Sequence, residues 1–381
     1  MFDSLIKQLS EIQTQVLGLC QQSGDCYHIQ AHADLSPIGW HMGHCVYTEN
    51  YWIRERLLQQ ESADNEMNSL YIPEQSIKND RGYQLPEIDE LCHWVKTNQS
   101  QNISLLEKNR SNTDQLMKNN FLLHFLIQHY SQHYETIYMI LSQLALNSDH
   151  DPRDDFTIKS SSLNREYNIL KHDDYIIGGH QDHMPYDNEY PRYQHELDTI
   201  KIAKTPVTNS EYLRFLEEDG YTENRYWSES GWQWRTTNNI IAPEYWRMNN
   251  NGNWYSINIH GAVKLKEQDP VYGISYYEAS AFASWAEARL PHESEWEAAR
   301  SGNLLEQTGR VWEWCHNTFY PYEGFTAYPY AGYSTPYFDN NHFTLKGGSC
   351  YTKPTIKRPS FRNYYQADKR FLYAGMRLVY E

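Results

Sequence analysis

The chain has 381 residues, the length of two domains or three small ones, each able to bury its own core, so a single small module is excluded. Its 33 Lys and Arg stand against 49 Asp and Glu, a net charge of −16, which argues against phosphate backbones and anionic membranes as partners. Aromatic residues make up 15% of the chain while mean hydropathy is −0.80, so the apolar material comes as amphipathic rings, 32 of them Tyr, rather than aliphatic runs.

In chain order, MFDSLIKQLSEIQTQVLGL reads as an amphipathic helix without a basic leader or a small-residue cleavage site, and no stretch approaches the ~20 apolar residues of a membrane span. The expectation is a cytoplasmic protein. Six scattered cysteines without C-x-x-C spacing predict reduced thiols rather than disulfides or a zinc ribbon. Residues 1–147 carry helical periodicity, with turn signals at Ser36-Pro37 and Asn79-Asp80-Arg81-Gly82. A charged, Ser-rich stretch at 148–162 predicts a linker. From 163 to 381 short aromatic pieces separated by Gly, Pro and Asn predict an irregular mixed α+β domain. It holds two helices, Asn209 to Glu218 capped by Thr208 or Asn209, and Tyr276 to Ala288 capped by Ser275.

Histidine spacing carries the chemistry. In FLLHFLIQHYSQHYETIYMILSQL the apolar positions 122, 126, 137, 140 and 144 form one stripe, and His129 and His133 fall on it one turn apart. A second helix from Ser36-Pro37 through WHMGHCVYTENYW would turn Trp40, His44, Tyr47 and Tyr51 inward. Three inward imidazoles from two bundle helices can form one metal face suited to iron, zinc or copper and leave other positions open. The alternative is a pair of hydrogen-bonded core histidines. His28 and His32 have the same spacing without a stripe and read as solvated surface.

The run LSPIGWHMGH, followed by QHYSQHYET, resembles the DinB-like helical domain of ergothioneine-type sulfoxide synthases, non-haem iron enzymes that join sulfur to a histidine imidazole. The second half resembles the formylglycine-generating-enzyme-like (sulfatase-modifying-factor) domain fused behind it. The resemblance runs through MPYDNEYPRYQHEL, TPVTNSEYLRFL, GYTENRYWSESGWQWR, DPVYGISYYEASAFASWAEARLPHESEWEAA, GRVWEWCHNTFYPYEGF, KGGSCYT and FRNYYQADKRFLYAGMRL. The fold class it implies is α plus mixed α+β: a DinB-like four-helix bundle over 1–147, then a C-type-lectin-like domain over 163–381 completing the active site.

Matched residue by residue, the resemblance implies Fe(II) held by His44, His129 and His133, with His41 as the rival of His44. It implies that Gln132 and Tyr333 contact the substrate imidazole, that Tyr330 of YPYAGYS is the catalytic proton donor, and that Asn363 and Tyr364 face the histidine amine. Trp285, Trp296, Trp312, Trp314 and Gly347-Gly348 read as scaffold. Two departures stand out. Tyr365 and Lys369 replace an Asp and an Arg that serve γ-glutamylcysteine in family members, and Lys offers a point charge where Arg offers a fork. Cys350 stands alone where formylglycine generators use a cysteine pair, which excludes that activity.

The implied activity is an O2-dependent oxidoreductase joining a thiol such as cysteine to the imidazole of histidine or Nα-trimethylhistidine (hercynine). The alternatives are a selenoneine-type synthase using a selenol, an ovothiol-type synthase giving 5-histidylcysteine sulfoxide, and a non-catalytic metal- or ligand-binding protein. The implied partners are these small molecules, without nucleic acid or membrane; oligomeric state is not encoded in any motif.

Overall fold

The computed structural model describes residues 1–60, 69–148 and 156–380. Residues 149–155 of the expected linker, 148–162, lie outside the described residues. The chain forms two compact units, Met1–Asn147 with Tyr351–Ile356, and Ser148–Cys350 with Lys357–Glu381.

The first unit is built on four long helices, as the sequence pattern requires. Helices α1 (Phe2–Gln22), α2 (Ile38–Asn50), α4 (Ile88–Lys108) and α5 (Phe121–Leu146) enclose the core, and the single turn α3 (Arg81–Gln84) lies between α2 and α4 in sequence. Helix α1 buries Leu5, Leu9, Ile12 and Val16, positions three and four apart on one face. Helix α2 packs against both α4 and α5, then widens into a π-helical segment over Tyr51–Leu57. Gly39 and Gly43 lie one turn apart on α2, where a Cβ at Gly43 would come 2.1 Å from a ring carbon of Tyr71. The turn signal at 79–82 became helix instead, because Arg81 is buried and anchors the turn from inside.

Helix α5 has a second face as well as its histidine stripe. Residues 351–356 lie along it: Tyr351 stacks on Tyr138 with centroids 4.2 Å apart, the Lys353 ammonium sits 3.6 Å from the Tyr134 ring centre, and Thr355 Oγ1 meets Ser131 Oγ at 3.0 Å. Thr352 Oγ1 donates to the buried Glu135 carboxylate at 2.5 Å. Ser131, Tyr134, Glu135 and Tyr138 follow i, i+3, i+4, i+7 spacing, one helical face.

The second unit has small sheets and short helices. A four-stranded sheet has the order Asn363–Gln366, His342–Lys346, Trp312–Thr318, Ala374–Gly375, and three-stranded sheets are formed by Tyr167–Leu170 with Ile200–Ala203 and Val379–Tyr380, and by Trp246–Met248, Trp254–Asn258 and Gly261–Val263. Helix α6 (Asn209–Glu217) is closed by the capping box of Thr208 and Glu211, and α8 (Tyr276–Trp285) by that of Ser275 and Glu278, while α7 (Glu229–Thr237) and α9 (Glu293–Ser301) are two helices the sequence reading did not foresee. Helix α8 is shorter than expected. Glu287 takes a left-handed φ of 54° and Ala288 N–H closes back on Ala283 O at 2.9 Å, a helix-ending geometry.

Aromatic scaffold replaces aliphatic layers. Trp296, Trp312 and Trp314 are buried, and the indole N–H of Trp296 donates to Glu313 at 2.7 Å. Gly347 and Gly348 have φ of 98° and 84°, and a Cβ at Gly347 would press on the Trp296 ring at 3.0 Å.

Candidate metal centre

Inside the helical unit, His44 comes from α2 and His129 and His133 from successive turns of α5, and their ligand nitrogens all lie within 4.8 Å of one another. Two of the rings, His44 and His133, are hydrogen-bonded from outside this space. His44 Nδ1 hydrogen-bonds Tyr71 O at 2.8 Å, which as Nδ1–H leaves Nε2 with its lone pair. The His44 ring stacks on Trp40, centroids 4.9 Å apart and planes 8° from parallel. Trp40 is fixed in turn, its indole N–H donating to Leu70 O at 2.7 Å and its ring lying 3.9 Å from the Arg81 guanidinium carbon. Arg81 itself donates to Ser36 Oγ, Ser76 Oγ, Pro73 O and Ser76 O.

His133 Nε2 stands 3.2 Å from His129 Nε2, and His133 Nδ1 stands 2.9 Å from Nδ1 of the buried His41. Burial is the first cause that drives His44 down to about 4, His41 down to about 3, and His129 and His133 well below the usual imidazole range; the neighbouring histidines push the last three further down. All four rings are therefore neutral at pH 7, the protonation state a metal ligand needs.

The donor set fits a divalent transition ion. Three neutral imidazoles converge, two of them, His44 and His133, carry an outer hydrogen bond through the far nitrogen, and buried His129 Nδ1 and His41 Nε2 lack hydrogen-bond partners among the described residues. Gln132 is half-buried on α5, directly before His133. The surface reading of His28 agrees with its exposure.

The other expected site residues belong to the second unit. Tyr330, 41% exposed, immediately precedes a 3-10 turn, Ala331–Tyr333. Tyr333 stacks on Tyr186 at 4.2 Å, and its carbonyl accepts from the Tyr364 hydroxyl at 2.5 Å. Tyr364 stacks on Phe319 at 4.1 Å and tilts against Tyr337 at 4.9 Å; burial first, then nearby tyrosines including Tyr330, holds its phenol well above the ordinary range. Asn363 and Tyr365 occupy alternate positions of the same strand, so they face away from Tyr364. Tyr365 meets Phe371 edge-on, and the Lys369 ammonium is 3.4 Å from the Asp368 carboxylate.

Sequence reasoning missed the supports of this tyrosine cluster. Ser334 Oγ donates to Asp187 at 2.5 Å and Tyr328 N–H donates to the same carboxylate at 3.3 Å, which ties the 328–334 loop to the turn Asp187–Glu189. Glu189 is paired with Arg358 and accepts from Ser360, while Arg362 donates to both oxygens of Glu293 at 2.7 Å and to Asn188 O. The YDNE run was visible, yet its acids read as motif letters until their arginines were placed.

Family comparisons divide the chain in the same order, helical part first. The sulfatase-modifying factor enzyme 1-like domain matches residues 164–308 and 301–381, more than half of the chain. The chain belongs to that family. Ahead of this domain, residues 8–137 match the DinB superfamily, so the expected domain pair is present. Among relatives, a hercynine oxygenase of Mycobacterium tuberculosis is 34% identical over 239 residues, covering 51% of this chain and 56% of the relative. Another, of Mycolicibacterium thermoresistibile, is 30% identical over 258 residues, covering 54% and 57%. Ergothioneine biosynthesis protein 1 of Schizosaccharomyces pombe is 28% identical over 232 residues, covering 52% of this chain and 28% of that protein. The match thus spans about half the length of the first two relatives. Among the described residues no helix is long and apolar enough to cross a membrane.

Proposed function

We propose that this chain is a non-haem Fe(II) sulfoxide synthase that uses O2 to join a small thiol to the imidazole carbon of histidine or hercynine. The observation that carries this reading is the convergence of His44, His129 and His133 within 4.8 Å, in a chain whose relatives include hercynine oxygenases. Iron held by these imidazoles supplies open coordination positions and electron transfer to O2.

The stoichiometry is closed. The thiol loses its hydrogen, the ring carbon loses its hydrogen, one oxygen atom ends on sulfur and the other leaves as water. All four electrons come from the two organic substrates, so no separate reductant is consumed. The chain's own residues bind and orient: Gln132, Tyr333, Asn363 and Tyr364 hold the histidine substrate, and the Tyr330 phenol donates a proton during O2 reduction. Tyr365 and Lys369 face the donor side, where the single ammonium favours a compact thiol such as cysteine over one that needs a bidentate fork. Six free thiols among the described residues fit a reducing compartment, in keeping with a cytoplasmic enzyme.

The test is anaerobic loading with Fe(II), then O2 with hercynine or histidine and a panel of thiols and selenols, with products identified by mass. The expected outcome is about one Fe(II) per chain, lost in His129→Ala, and an O2-dependent product carrying both substrates plus one oxygen. Absence of iron affinity, or O2 uptake that yields only oxidised thiol, refutes the assignment.

A further inference from the structure

A row of three imidazoles runs through the candidate metal centre. His129 Nε2 lies 3.2 Å from His133 Nε2, and His133 Nδ1 lies 2.9 Å from His41 Nδ1. At the two ends, His129 Nδ1 and His41 Nε2 are buried without hydrogen-bond partners among the described residues. Three neutral imidazoles carry three ring protons on six nitrogens. Two protons serve the two hydrogen bonds, and the third falls on one of the two orphaned end nitrogens. The row is therefore polarised in one direction or the other.

A cation shared by His44, His129 and His133 settles that direction. Ligation through both facing Nε2 atoms needs both lone pairs, so no proton remains between them. The His133 proton must then sit on Nδ1. The nitrogen in hydrogen-bonding position to receive it is His41 Nδ1.

We propose that His41 is a positioning residue for the metal centre, accepting the Nδ1–H of His133 and so fixing the tautomer whose Nε2 lone pair faces the shared ligand space. It does for His133 what Tyr71 O does for His44. Such outer partners orient ligand rings and raise their basicity. His41 stands three residues before His44 on α2, so the same helix supplies a ligand and the acceptor for another ligand. His41 and His44 are thus not rivals for one position. The proton of His41 moves to its own Nε2, the orphaned end of the row.

This inference rests on the metal-centre reading, and the experiment separates the two. Zn(II), diamagnetic, serves as the probe in the full-length protein, with ring-15N-labelled histidine, in wild type, His41→Phe and His41→Asn. Phe keeps the bulk without an acceptor, and Asn places an amide oxygen near the position of Nδ1. Zn(II) affinity should fall about 10- to 100-fold in His41→Phe and recover to within about threefold of wild type in His41→Asn. The Zn(II)-loaded wild type should show His133 protonated at Nδ1. Coordination of His133 through Nδ1, undiminished affinity in His41→Phe, or equal loss in both variants with native helical circular dichroism, each overturns the proposal. A wild type that binds no divalent ion overturns the metal-centre reading instead; then the metal-free spectrum decides, since a His133 ring signal unmoved by His41→Phe removes the contact itself.

Discussion

Glu49→Gln should make the helical unit more stable at alkaline pH while leaving it almost unchanged in mild acid. Glu49 is fully buried on α2, with Gln13 Nε2 donating at 2.5 Å from α1 and Asn102 Nδ2 at 3.0 Å from α4. The Tyr130 hydroxyl of α5 and the Arg54 charge also act on it. Burial outweighs these partners and lifts its pKa from 4.5 to about 7. Below about pH 4.5 the carboxyl is protonated in both folded and unfolded chains. Between those values only the unfolded chain ionises, and each pH unit then removes about 1.4 kcal/mol of stability. Across the 2.5 units between 4.5 and about 7 the loss amounts to about 3 kcal/mol, and it levels off above the folded value.

Gln imitates the neutral acid and does not titrate, with Gln13 able to turn its amide over and accept from it. Urea unfolding followed by helical circular dichroism at about pH 5 and about pH 8 should show the variant gaining about 2.5 kcal/mol on wild type between the two conditions. The desolvated histidines act in the opposite sense below their unfolded pKa, so the informative quantity is the difference between the two proteins at each pH. A difference that stays constant from pH 5 to 8 refutes the argument that Glu49 is held protonated by burial.

Arg81→Lys keeps the charge but loses the fork, giving up two to three of four hydrogen bonds at about 1 kcal/mol each together with part of the stack on Trp40. The helical unit should lose about 3 kcal/mol, read as a melting point lower by about 6–12 °C. Gly43→Ala drives a methyl into the Tyr71 ring. The expected cost is about 1–3 kcal/mol, with about a tenfold fall in Zn(II) affinity by titration because Tyr71 O orients His44. Tyr330→Phe should shift turnover from the joined sulfoxide toward simple thiol oxidation, measured as the product ratio by mass; an unchanged ratio removes the proton-donor role.

The histidine triad was legible because two of its members repeat at helical spacing on an apolar stripe and the third closes a W-x-x-x-H run. His41 was visible only as a competitor. Its partner His133 is 92 residues away, and a contact between helices leaves no mark on the periodicity of either. The same reason hid Glu49, which reads as an ordinary polar residue until Gln13 and Asn102 surround it. In the second unit, Thr208 and Ser275 announced their helices because capping is local chemistry. Helices α7 and α9 escaped for another reason. ESGWQWRTT buries only Gly231, so it has no apolar stripe, and α9 buries Glu293, Glu295 and Glu297, acids that cations outside the helix, Arg362, Arg289 and Lys346, make tolerable.

The segment 351–356 that covers the outer face of α5 has a consequence for synthesis. The four long helices have been synthesised once residue 147 is added, yet Glu135 meets its Thr352 donor only after about 200 further residues. At about 5–20 residues per second, that interval is roughly 10–40 s. During it the helix that holds two of the three candidate ligands lacks the Thr352 hydrogen bond to Glu135 and the contacts of Tyr351 and Lys353 with its tyrosine rings. A protein cut at residue 147 lacks these contacts permanently, so the helical unit is complete only once residue 356 has been made.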